Sequence, residues 1–66
     1  MQVIINGEPH QVPAPLSLAQ AVALLTSAQT GVAAAVNGDV VRRAAWNATS
    51  LTDGDEVEVL TAVQGG

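Results

Sequence analysis

A chain of 66 residues with six acids, two arginines and no lysine carries a net charge of −4, which sets it against the phosphates of nucleic acid. It is long enough for one domain, residues 1–66, whose core covers about 60% of the surface of the unfolded chain. With no cysteine and a single histidine, His10, it excludes a disulfide framework, a thiolate zinc site and a thiol nucleophile.

An apolar share of 48% with one tryptophan and neither Phe nor Tyr is a globular composition. The acidity suits solubility or docking onto a basic protein surface. Without lysine the chain cannot build lysine-linked chains on itself. No basic region precedes an apolar run at the start, and no apolar run is long enough to span a bilayer. No membrane partner is therefore expected, and the cytoplasm is the expected compartment.

Met1 to Ile5 is β-branched and reads as a strand. Asn6-Gly7 follows, a type I′ hairpin signal because both residues accept positive φ. Glu8 to Val12 is the returning strand, and Pro9 assigns it to a sheet edge. His10 is expected to lie exposed there. Pro13-Ala14-Pro15 breaks the strand. Ser17 and Gln20 form a capping box, and Leu18, Ala21, Val22 and Leu25 make one apolar helical face. Gly31 is expected to stop that helix.

Val32 to Val36 reads as a buried strand, with Asn37-Gly38 as a second hairpin turn and Asp39-Val40-Val41 returning. Arg42 to Trp46 leaves the sheet irregularly. The two arginines fit either a cap on the exposed sheet end or a partner contact. Asn47-Ala48-Thr49 matches the glycosylation pattern but lacks a secretion signal beside it. Leu51 is expected in the core, Asp53-Gly54 is a third turn, and the last strand runs from about Asp55 to Leu60. These elements make an α+β fold, a mixed sheet of about five strands with one main helix on one face.

In the last strand Val57, Val59 and Thr61 share the core side, while Glu56, Glu58, Leu60 and Ala62 share the other. Leu60 and Ala62 are thus candidates for a docking patch. Beyond them the chain runs through Val63 and Gln64 to Gly65-Gly66. Two glycines finish a strand poorly, since each loses maximal backbone entropy and packs nothing. They fit a frayed end or a tail shaped for a narrow channel.

Several stretches together resemble the ThiS family of sulfur carriers in thiamine biosynthesis. They are Ala35-Val36-Asn37-Gly38-Asp39-Val40-Val41 with Arg43 and Trp46, then Leu51, then Asp53-Gly54-Asp55-Glu56-Val57-Glu58, then Ala62-Val63-Gln64-Gly65-Gly66. The resemblance implies a ubiquitin-like β-grasp fold with the final strand beside the first. It implies a protein co-substrate, not an enzyme, with no bound cofactor and no metal. A ThiF-type enzyme would use ATP and magnesium to adenylate the Gly66 carboxylate. Sulfur from a donor such as a cysteine desulfurase relay would then give a thiocarboxylate for a ThiG-type thiazole synthase. Gly65 would provide clearance, and Leu60, Ala62, Val63 and Gln64 would meet partners. The last few residues would be mobile when free and ordered when bound. Two departures bear on packing: Arg42 stands where the family often has proline, and Ala33 to Ala35 stand where it tends to have larger residues.

Other readings share the fold. A carrier for molybdopterin, tRNA thiolation or amino-acid sulfur transfer would use the same terminus. A non-covalent β-grasp module would tolerate loss of Gly66, and a protein modifier would leave isopeptide adducts. No nucleophile, base and orienter can be assembled into an active site.

Overall fold

The two Asn-Gly turns set the frame. Asn6 and Gly7 take φ of 51° and 83°, and Asn37 and Gly38 take 50° and 87°. These are the paired left-handed conformations of a two-residue hairpin. The first joins β1 (Gln2–Ile5) to β2 (Glu8–Gln11), and the second joins β4 (Val32–Val36) to β5 (Asp39–Val41). The computed structural model describes residues 1–27 and 30–61. Ala62, Val63, Gln64, Gly65 and Gly66, with the expectations attached to them, lie outside the described residues.

Between the hairpins come β3 (Leu16–Ser17) and α1 (Leu18–Leu25). After them come a 3-10 helix (Arg43–Ala48), β6 (Ser50–Leu51) and β7 (Glu56–Thr61). The main sheet has the order β2-β1-β7-β4-β5. The last strand is central: β7 runs parallel to β1 and antiparallel to β4. The edge position expected of β2 from Pro9 is borne out.

The helix begins as its sequence dictates. The Ser17 hydroxyl accepts from the Gln20 amide at 3.1 Å, and the Gln20 side chain accepts from the Ser17 amide at 2.8 Å. Leu18, Ala21 and Val22 are buried against the sheet. Leu25, expected in that stripe, is instead 44% exposed. The eight-residue helix covers only two turns of sheet, and its last residue stands past the core cluster. The helix also stops earlier than Gly31. Thr26 is already extended, with its amide still donating to the Val22 carbonyl. A β-branched residue followed by serine has little helix propensity and ends it first.

Val3, Ile5, Leu18 and Val57 are the most deeply buried large side chains. Each removes enough apolar surface from water to contribute about 1.5–3 kcal/mol. Around them lie Val12, Leu16, Trp46, Leu51 and Val59. β4 is less buried than expected: only Ala34 is shielded, while Ala33 is exposed. Among the described residues only one face of the sheet is covered, so alternate residues of β4 face out.

The small antiparallel pair β3 and β6 matches Leu16 with Leu51 and continues through the Leu18 amide to the Thr49 carbonyl at 2.8 Å. Two-residue strands carry no periodic pattern, so the sequence gives no sign of it. His10 also departs from expectation. It sits opposite Val3, which is fully buried, so register turns its ring to the core side. It is half-buried, and its Nε2 is shielded without a hydrogen-bond partner among the described residues.

Candidate functional site

β7 leads toward the terminal glycines, so its two faces define what that end presents. Val57 and Val59 are 1% and 5% exposed, whereas Glu56, Glu58 and Leu60 face away from the helix. Leu60, which strand alternation places on the outward side, is 71% exposed and pairs across with Ala33. Glu58 pairs with Ala35, and Ala35 on its other side with Val40, which is 81% exposed.

The result is a shallow apolar hollow. Its floor is the alanines of β4, and its walls are Leu60 and Val40, with Glu58 and Asn6 alongside. Alanine at 33 and 35 creates the hollow, since larger side chains would fill the space between the walls. Val40 was not singled out as a contact residue from the sequence. The signal was there in the two-residue period, which places it on the same face as Ala35.

Asparagine side chains hold β7 from both sides. Asn6 bonds Val59 through both amide atoms, accepting from its N–H at 2.8 Å and donating to its carbonyl at 3.1 Å. Asn37 accepts from the Glu56 amide at 3.0 Å and donates to the Asp55 carboxylate at 3.1 Å. Sequence reasoning assigned these residues to turns alone. A side chain's choice of partner across the sheet leaves no mark on its local sequence.

Asp55 also accepts from the Thr52 amide at 2.8 Å and its hydroxyl at 3.1 Å, closing the Asp53-Gly54 turn. The Thr52 amide, first of all, and then the Asn37 and Thr52 side chains hold its carboxyl below the usual carboxylate range against the opposing effect of burial.

The arginines part ways. Arg43 lies 5.2 Å from the centre of the Trp46 ring, and Trp46 donates its indole N–H to the Val41 carbonyl at 2.8 Å. This cation–π contact makes Arg43 a brace for the 3-10 helix. Arg42 is exposed at the start of that helix and makes no side-chain cap. No cluster of three or more potential metal ligands occurs among the described residues, and no helix is long and apolar enough to cross a membrane.

A mixed five-stranded sheet with its last strand between the first and β4, and one helix across one face, defines a ubiquitin-like β-grasp protein. The model of the ThiS family matches residues 3–66, and the chain belongs to that family. It is similar to a thiamine biosynthesis protein (ThiS) from Geobacter metallireducens. The crystal structure of that protein matches with a TM-score of 0.78 at 36% identity over 100% of both chains. Its NMR solution structure matches with a TM-score of 0.80 over 100% of this chain and 88% of the other. The sulfur carrier protein ThiS of Escherichia coli K12 is 29% identical over the full length of both. A Porphyra purpurea protein, ycf40, is 32% identical over all of this chain and 93% of its own.

Proposed function

We propose that this protein is a sulfur carrier of thiamine biosynthesis and that Gly66 carries the sulfur. The observation behind this reading is the family match running through Gly66, on a body whose central strand β7 leads to that end.

A free carboxylate is a poor electrophile. A ThiF-type enzyme, using its own ATP and magnesium, joins the Gly66 carboxylate to AMP and releases pyrophosphate. A persulfide sulfur from a cysteine-derived donor then attacks the carbonyl carbon and displaces AMP. Cleavage of the sulfur–sulfur bond by a thiol leaves the thiocarboxylate for thiazole synthase. Gly65, lacking a Cβ, lets the end enter a narrow site. The body supplies binding energy remote from the chemistry, which positions the reacting carbon. Leu60 is the exposed contact next to the tail, and Ala62, Val63 and Gln64 continue that contact into the partner. The chain acts as co-substrate, and the soluble reactants favour the cytoplasm.

The test is the intact mass after incubation with ATP, magnesium, a ThiF-type enzyme and a sulfur source. The expected gain matches replacement of one oxygen by sulfur and is absent when Gly66 is deleted. No gain, with the enzyme shown active on its own carrier, removes this assignment for that enzyme. An equal gain without Gly66 removes the site.

A further inference from the structure

β1 is too short for the strand it supports. It pairs with β7 only as far as Ile5 opposite Val57, and its last backbone bond runs from the Asn6 amide to the Val57 carbonyl at 2.9 Å. The chain then turns away into β2, while β7 continues to Thr61. Successive strand residues direct their backbone groups to opposite sides. The next groups of β7 on the β1 side therefore belong to Val59, a buried residue whose amide and carbonyl would be costly to leave unmet.

Asn6 meets both of them with its side chain. A primary amide carries the same donor and acceptor as a peptide group. The side chain thus acts as one more residue of β1, on the tail side of β7. Without it, the backbone of β7 beyond Val57 is paired among the described residues only with β4, and Val59 is held besides by core packing. We propose that Asn6 is a positioning residue for the reaction at Gly66: it fixes the point and direction at which the tail leaves the sheet. This rests on the sulfur-carrier reading.

Asn37 is a built-in control. It has the same turn conformation and also makes two side-chain bonds, but at the opposite end of β7. The experiment compares Asn6→Gly and Asn37→Gly, which keep positive φ available and remove the amide. Both are assayed in full-length protein with the ATP-dependent adenylating enzyme, at a temperature where circular dichroism shows them folded.

For Asn6→Gly, the Val59 amide exchanges with solvent faster. The kcat for adenylation falls about tenfold, because a misplaced carbon reaches the site less often. KM stays within about twofold of the parent, because the apolar walls of the hollow, Leu60 and Val40, are unchanged and Asn6 only borders it. Asn37→Gly keeps the parental kcat. An unchanged kcat or unchanged Val59 exchange in Asn6→Gly, an equal fall of kcat in Asn37→Gly, or an effect on KM alone overturns the proposal. If Asn6→Gly is unfolded, Asn6→Asp replaces it: this variant keeps the acceptor for the Val59 amide and loses the donor to the Val59 carbonyl, so it is judged on kcat and KM alone. A parent protein that is not adenylated removes the carrier reading and this role with it. An active parent with a parent-like Asn6 variant removes only the role of Asn6.

Discussion

The two faces of the sheet are built from the same strands and do opposite work. Under the helix, Val3, Ile5, Val57, Val59 and Ala34 are removed from water. On the other side, Leu60 and Val40 stand in solvent over a floor of alanines. The covered face holds the fold together. The open face leaves the large apolar side chains of Leu60 and Val40 unburied, and in the proposed function Leu60 is a partner contact. Substitutions on the two sides should therefore separate stability from partner binding.

The largest expected effect is on the covered side. Leu18→Ala should lower the unfolding free energy by about 2–5 kcal/mol. A domain of this size has only about 3–10 kcal/mol in total. Urea unfolding should show the midpoint collapse, and a parent-like midpoint would mean the helix contact adds little.

Leu60→Thr, on the open side, keeps strand propensity and should leave stability within about 0.5 kcal/mol of the parent. Its affinity for the adenylating enzyme should fall about tenfold. Titration calorimetry reads the binding, and unchanged affinity would take Leu60 out of the interface.

Ser17→Ala removes the hydroxyl that caps the covering helix and should cost about 1 kcal/mol, seen in the same urea experiment.

The smallest effect tests a turn that serves neither face. Asp55 has its carboxyl pKa lowered in the folded protein, so its contribution to stability is present above the unfolded value of 3.8. It is lost as pH falls through the lower folded value. Asp55→Asn should make the decline of stability below about pH 4 shallower than in the parent. An identical acid slope would show that this carboxylate is not coupled to folding.

Local rules made much of the molecule legible before its structure. Asn6-Gly7 and Asn37-Gly38 specified both hairpins, because few residues accept paired positive φ. Ser17 and Gln20 marked the helix start, because a capping box is contained within four residues. The alternation of β7 assigned Val57 and Val59 inward and Leu60 outward, because side chains alternate along any strand, whereas Thr61, assigned inward by the same rule, is exposed at the strand's end. Tertiary structure decided what depends on distant partners. It left Leu25 exposed by placing the end of the helix past the core cluster. It brought Leu16 to Leu51, set Val40 across the alanine floor from Leu60, and joined Asn6 to Val59. These contacts join residues far apart in the chain or on different strands. Pairing between strands distant in the chain and the coverage of one sheet face bring them together, and no local pattern encodes either.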